Sequence, residues 1–266
     1  MFDDNRIVQA AQFLLEEHRT RKPFGPIPAS CAARTVDEAY AVQEAFHALR
    51  AATHGPVAGY KIALTTPVMQ QMVGFHEPVS GAILARTIHE SPCTIHSTDY
   101  GRLGVECEIA VRLAADLPVT SASYSHDHLT AAIGAVMAAF ELIDDRHADY
   151  AQFAPQIFSI IADNAWNGGI VLGPPAPDWR TVDLAAVHGT MVINDAVVGE
   201  GHGRDVMGHP LDALVWLANG LAQRGQRLTQ GMVVMTGSIV ATKFVHPGDR
   251  VRFYMDGIGE VRLSVA

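Results

Sequence analysis

Glu106 and Glu108 stand two residues apart in VECEIAVRL, residues 105–113. In a strand, successive side chains take opposite faces. Val105, Cys107, Ile109 and Val111 then share one face, and Glu106, Glu108 and Ala110 share the other. The two carboxylates would lie about 7 Å apart along the strand. Like charges at that spacing raise each other's pKa unless a cation sits between them. Two acids on a solvated strand face are also ordinary. Against that simpler reading, Ala110 continues the face without polarity and the flanks are too apolar for an edge strand. Glu141 sits in AVMAAFELID, residues 135–144. An acid in so apolar a run needs a partner or a metal. If the run is extended there, Phe140 and Leu142 pack away from it. Three carboxylates without a CxxC or HExxH pattern form a hard-oxygen set. Such a set favours Mg²⁺, Mn²⁺ or Ca²⁺ over Zn²⁺. About three of six octahedral positions would remain for substrate and water, the open arrangement that a catalytic metal requires.

The elements that must carry these residues can be read from periodicity. Residues 5–18 place Ile7, Ala10, Ala11, Leu14 and Leu15 at helical spacing. KPFGPIPAS then breaks the chain. Thr35 and Glu38 form a T-x-x-E box before a second helix over 36–52. Thr66-Pro67 opens a short helix, PVMQQMV. PVAGYKIAL, GAILA, SPCTIH and VECEIAVRL read as strands, and HDHLTAAIGAVMAA (126–139) as a helix running into FELID. IADNAWNGGIVLG reads as a loop leading into a strand. TMVINDAVVGEG is a hairpin turning at Asn194-Asp195. PLDALVWLANGLAQRG is an amphipathic helix from Pro210 to just before Gly225. MVVMTGSIV, RVRFYMD and GEVRLSVA close the chain as strands. The fold class expected is α+β, mainly β. A helical segment over 1–55 packs on a β-rich catalytic core over 56–266 as one globular unit.

Composition narrows the function classes. The 266 residues carry 19 Lys and Arg against 28 Asp and Glu, a formal charge of −9. The basic cluster of Arg19, Arg21 and Lys22 reads as charge at a helix C-terminus. No nucleic-acid partner is expected. Cys31, Cys93 and Cys107 are an odd, widely spaced set, which suits a reducing compartment. The acidic N-terminus lacks a signal-peptide pattern and no apolar run is long enough for a span. The expectation is a cytoplasmic protein without membrane contact. No G-x-S-x-G, G-x-G-x-x-G or P-loop motif is present. Most of the 13 histidines read as surface or loop residues, among them His126, His128, His202 and His209.

Further motifs lie in order along nearly the whole chain: AYAVQ near 40, GYKIALT (59–65), VECEIAV (105–111), FELIDDR (140–146), IADNA (161–165), GHPLDALVWLANGLAQRG (208–225) and MTGSIV…HPGDRV. With these the chain resembles the fumarylacetoacetate hydrolase superfamily, in the branch of 2-oxopent-4-enoate hydratases and 4-oxalocrotonate decarboxylases. The resemblance implies rolled mixed β-sheets with the N-terminal helices to one side. It implies that Glu106, Glu108 and Glu141 bind Mg²⁺ or Mn²⁺, that Lys61 faces the active site, and that the substrate is a small 2-oxo acid. It also implies a homo-oligomer, with possible association with a related decarboxylase or hydratase. Three departures stand out. Ala63 replaces a glycine in the lysine motif, Val79 stands where many hydratases carry an acid, and HADYAQFAPQIFSI is longer than usual.

Within that frame, Lys61 is a candidate to pair with a substrate carboxylate or to steer a proton. A bland lysine there would snorkel to water. Asp163 either caps a turn or orients a water on the metal. Gly237 and Ser238 either make a turn or bind a substrate carboxylate. The expected reaction is hydration of a 2-hydroxypenta-2,4-dienoate-like substrate to a 4-hydroxy-2-oxo acid. Decarboxylation of a 2-oxo-3-enedioate, hydrolysis of an acylpyruvate carbon–carbon bond, and a non-catalytic partner subunit are the alternatives.

Overall fold

The computed structural model describes residues 4–118 and 123–266, so residues 1–3 of the expected helical segment lie outside it. Two helices come first, α1 (Asp4–Thr20) and α2 (Val36–His54). The Thr35 hydroxyl accepts the Glu38 N–H at 3.1 Å, as the T-x-x-E spacing requires. The Glu38 carboxylate reaches one residue further back than a capping box would, to the Arg34 N–H at 2.8 Å. Ala10, Ala11 and Leu14 of α1 pack with Val42 and Phe46 of α2.

The chain continues through β1 (Val57–Ala63), α3 (Pro67–Val73), β2 (Val79–Leu84), β3 (Ile88–Glu90), β4 (Cys93–Ile95) and β5 (Leu103–Leu113). Next come α4 (His126–Ala132), β6 (Ile133–Asp144), α5 (Ile157–Ala162) and β7 (Asn167–Leu172). The hairpin β8 (His188–Ile193) and β9 (Ala196–His202) precedes α6 (Pro210–Gln223). Three strands, β10 (Val233–Phe244), β11 (Arg250–Met255) and β12 (Gly259–Val265), complete the chain. Asn194 and Asp195 have φ of 50° and 70°, the left-handed pair that a two-residue hairpin turn needs.

Two expectations from the sequence fail here. The helix read over 126–139 stops at Ala132, and Ile133 opens β6. Gly134 weakens a helix at that point. Residues 135–140 that follow are apolar without a break because both faces of β6 are covered. Val136, Ala138, Phe140 and Leu142 enter one core, and Met137 and Ala139 enter another. A strand buried on both sides loses its alternation and resembles a buried helix. The start of IADNAWNGGIVLG is also not a loop, since Ile161 and Ala162 end α5.

A seven-stranded mixed sheet has the order β2-β1-β10-β5-β6-β7-β3, and a five-stranded one the order β4-β12-β11-β8-β9. The outer face of the large sheet packs on the second sheet and α6 through Val105, Cys107, Phe140, Phe253, Val261 and Leu214. Each such side chain contributes roughly 1.5–3 kcal/mol by burial. Leu211, Leu214, Leu217 and Leu221 of α6 are buried within this chain.

The inner face of the large sheet is concave. Lys61 on β1 and Glu141 on β6 lie three strand positions apart, roughly 14 Å across a flat sheet. Their charged groups nevertheless meet at 3.0 Å, so the sheet curls. The curl is held where the β2 edge meets the turn before β7. There Asn164 substitutes for a neighbouring strand: its Oδ1 accepts the Ala82 N–H at 2.7 Å and its Nδ2 donates to the Ala82 carbonyl at 2.9 Å. Gly81 permits the approach, because a Cβ there would lie 2.6 Å from the Asn164 carbonyl oxygen. Asn164, Ala165 and Trp166 have φ of 60°, 44° and 61°, three left-handed non-glycine residues in succession. Such backbone persists only when its surroundings fix it. Asn164→Ala should cost about 2–4 kcal/mol, since it strands two buried backbone groups and puts alanine at positive φ. An unchanged urea midpoint would show that this bridge is dispensable.

Candidate active site

The concave face carries four charged groups on an apolar floor. Strand alternation places Glu106, Glu108 and Ala110 of β5 on one side, and the β5–β6 register sets Glu106 directly opposite Glu141. Ile83, Ala110, Met137, Ile170, Val233 and Met235 form the floor beneath them. One oxygen from each of Glu106, Glu108 and Glu141 lies within 4.8 Å of the others. Glu108 and Glu141 are fully buried, and Glu106 is partly exposed.

Each carboxylate is aimed by a donor. The Thr242 hydroxyl donates to Glu106 Oε1. The Gly237 N–H donates to Glu108 Oε2 at 2.8 Å. Asn167 Nδ2 donates to Glu141 Oε1 at 2.8 Å, and Lys61 Nζ meets the same oxygen at 3.0 Å. That leaves Glu108 Oε1 and Glu141 Oε2 buried without a hydrogen-bond partner among the described residues. Among the described residues, three carboxylates face one ammonium, an excess of negative charge in a largely buried site. Burial, then Glu141 and Glu106, push the Glu108 carboxyl well above its ordinary range. Burial and Glu141 raise Glu106 too, against Lys61 and the Thr242 hydrogen bond. Burial alone would depress the Lys61 ammonium, but Glu141, Glu106 and Glu108 outweigh it and hold the group above its usual value. Orphaned carboxylate oxygens converging on one point fit a hard divalent cation. Oriented donors on the opposite oxygens are what such ligands need.

The other candidates are placed as follows. Lys61 is 1% exposed and does not snorkel. Asp163 ends α5, buried between His18 Nε2 at 2.5 Å and the Arg146 guanidinium at 2.9 Å. His18 and Arg146 hold it below the usual carboxylate range even though burial works the other way. It begins the turn that carries Asn164 and Asn167, so it reaches the carboxylate cluster through the backbone. The Gly237 N–H is committed to Glu108. Gly237 has φ of 122°, and a Cβ on it would strike Thr65 at 2.6 Å. Ser238 Oγ donates to the Val240 carbonyl at 2.6 Å. Val79 is buried among Tyr40, Phe153 and Ile161. Thr242, Asn167, His18 and Arg146 were not singled out from the sequence. Their roles depend on cross-strand register and on a turn geometry that no local motif announces.

Residues 63–266 match the family described as Fumarylacetoacetate (FAA) hydrolase C-terminal. The chain is 31% identical over 264 residues to 2-keto-4-pentenoate hydratase of Paraburkholderia phymatum, covering 99% of each chain. It is 30% identical over 227 residues to 4-oxalocrotonate decarboxylase of Pseudomonas putida, covering 85% of this chain and 84% of that one. Among solved structures it is similar to 4-oxalocrotonate decarboxylase from Pseudomonas putida G7 complexed with magnesium and adipate. The TM-score is 0.90 at 27% identity, covering 100% of this chain and 99% of that one. The curled sheet, its carboxylate cluster and these matches agree: the chain belongs to the fumarylacetoacetate hydrolase family.

Proposed function

We propose that this chain is a divalent-metal-dependent hydro-lyase that adds water to a 2-hydroxypenta-2,4-dienoate-like acid, giving a 4-hydroxy-2-oxo acid. The observation that carries the reading is the convergence of Glu106, Glu108 and Glu141, with two orphaned oxygens, beside the buried Lys61. Full-length similarity to 2-keto-4-pentenoate hydratases supports the substrate class. Glu106, Glu108 and Glu141 would hold the ion, with Mg²⁺ or Mn²⁺ suited to the donor set. When bound, it would supply Lewis acidity and a template for a 2-oxo-carboxylate.

The chain's own residues supply the rest. Lys61 holds a proton at Nζ inside the pocket, where it can pair with the substrate carboxylate or pass a proton to C5 of the dienol as the C2 hydroxyl gives up its own during ketonisation. The resulting 2-oxo-3-enoate is electrophilic at C4, where water adds, and C3 then takes up a proton. The apolar floor keeps bulk water from the reacting chain and strengthens the electrostatic contacts above it. Asn167, Thr242 and the Gly237 N–H hold the carboxylates in place. Asp163, Gly237 and Ser238 are retained as candidates near the substrate, with the Asp163 turn and the Gly237 backbone shaping the pocket.

Two observations favour a second reading. Val79 places an apolar side chain where many hydratases have an acid, and the overall shape closely follows a 4-oxalocrotonate decarboxylase. Decarboxylation of a 2-oxo-3-enedioate would break its C5–C6 bond, release CO₂ and leave the electron pair in the 2-hydroxy-2,4-dienolate, the same conjugated enolate from which hydration starts. Product analysis separates the two. We expect a C4 hydroxyl on the product formed from 2-hydroxypenta-2,4-dienoate. CO₂ release from a 2-oxo-3-enedioate without hydration would sink the hydratase reading.

No helix among the described residues is long and apolar enough to cross a membrane, and a cytoplasmic location is retained as a proposal. Self-association, or pairing with a related enzyme, is also proposed. Val68, Met69 and Met72 of α3 are exposed together and offer an apolar contact. Light scattering at micromolar concentration should give a mass above that of one chain, and a monomer would refute homo-oligomerisation.

A further inference from the structure

Behind the strand that carries Lys61 lies a cleft with its own polar groups. The β1–β2 register pairs Lys61 with Gly81 and Tyr60 with Ala82. Tyr60 and Ala82 therefore face away from the carboxylate cluster, towards α2. The space between is about 280 Å³, at the small end of the roughly 300–1,000 Å³ typical of ligand pockets. Ala48, Ala51 and Val57 give it an apolar wall. The Arg224 guanidinium lies over the Tyr40 ring at 4.0 Å, and its nearest described hydrogen-bond partner is Ser80 Oγ at 3.5 Å. Among the described residues no carboxylate pairs with Arg224. His47 lines the same cleft, 5% exposed, and its buried Nε2 has no hydrogen-bond partner among the described residues.

We propose that this cleft is a second binding site, for a small monocarboxylate that carries one further uncharged polar group, such as a short hydroxy or oxo acid. Stacking on Tyr40 holds the guanidinium flat and presents its N–H fork to a carboxylate. The short apolar wall takes a hydrocarbon stem. His47 Nε2 provides the second polar contact. Burial and the neighbouring Arg50 lower the His47 pKa to about 4, against a side-chain hydrogen bond with Asn164, so at neutral pH it meets a hydroxyl or oxo group and not a second anion. Glu44, which accepts Gln226 Nε2 at 2.8 Å on the same rim, limits the guest to a single negative charge. A phosphate dianion would meet that repulsion with only one cation to offset it. The site uses none of the metal-binding carboxylates and stands apart from the hydratase reading.

The test is calorimetric titration of the full chain, freed of metal, with 4-hydroxybutyrate, pentanoate and inorganic phosphate. We expect saturable one-to-one binding of 4-hydroxybutyrate, weaker binding of pentanoate, and the weakest of phosphate. Arg224→Gln should weaken 4-hydroxybutyrate by about tenfold or more, the usual value of a charge-assisted hydrogen bond. Ala48→Leu, which narrows the cleft, should weaken it as well. Both variants should keep wild-type Mg²⁺ binding, which reports an intact fold, and Glu108→Gln should leave 4-hydroxybutyrate binding unchanged. The proposal is overturned by an absence of saturable binding, by binding that neither Arg224→Gln nor Ala48→Leu alters, or by phosphate binding at least as tightly.

Discussion

Glu108→Gln should abolish Mg²⁺ binding and, in the metal-free protein, raise stability. The two effects have one cause. Carboxylate oxygens within 4.8 Å of one another repel by about 3 kcal/mol per ionised pair at an effective dielectric near 20. Lys61 offsets only part of this. The native Glu108 carboxyl is held well above the ordinary glutamate value of 4.5 by burial and by Glu141 and Glu106. A carboxyl whose native pKa is raised destabilises the fold above its unfolded pKa, and the penalty grows with pH until the native pKa is reached. Glutamine removes the charge while keeping the shape, so the variant's advantage without metal should appear above about pH 4.5 and increase toward neutrality. With Mg²⁺ the order reverses. A metal that binds only the native state at a hundred times its Kd adds about 2.7 kcal/mol, and the variant forgoes that gain. Turnover should fall more than a hundredfold, since even the groups that merely orient metal ligands are worth 10–100-fold in affinity or activity. Melting curves with and without Mg²⁺ check this. A variant that is less stable than wild type without metal, yet still shifts upward with Mg²⁺, would show that the cluster is not the metal site.

How much of this was legible in the sequence follows from the range of each signal. The phase of β5 could be read from residues 105–113 alone, because a two-residue alternation fixes which side chains share a face. The acid in an apolar run at Glu141 was legible for the same local reason, as an unpaired charge that burial would penalise. That Glu141 stands opposite Glu106 could not be read, since register is set across strands 35 positions apart in the chain. β6 was partly misread because burial on both faces erased its period. The bend that brings Lys61 to Glu141 depends on Asn164 bonding to Ala82, a contact between segments with no shared local pattern. The burial of His47 and the ion pair of His18 with Asp163 could not be read either. In a helix, the neighbours that bury a histidine come from other elements, and composition does not name them. Gly237 is legible as a glycine at a strand irregularity, but the donation of its N–H to Glu108 depends on cross-strand placement that no local pattern gives.

Lys61→Met should separate metal binding from turnover. Lys61 is 1% exposed and its Nζ lies 3.0 Å from Glu141 Oε1. A methionine keeps much of the stem's packing and removes the ammonium. In the metal-free protein this strands the Glu141 charge among buried neighbours, and breaking one side of a buried pair costs about 3–5 kcal/mol. A divalent cation would then take over the neutralisation, so the destabilisation should shrink as Mg²⁺ is added. Mg²⁺ affinity itself should be unchanged or tighter, because the site has lost a positive charge and kept all three carboxylates. Turnover should fall by about 10²–10⁴, the range for losing a positioned proton-transfer group. Lys61→Arg should not restore it. The guanidinium is broader, does not give up its proton, and would enter a site whose carboxylates are already aimed by Asn167 and Gly237. Calorimetric Mg²⁺ titration beside a turnover assay reads both quantities on the same preparation. If affinity and turnover fell together, Lys61 would be acting by holding Glu141 for the metal. If neither changed, the lysine would have no part in the chemistry.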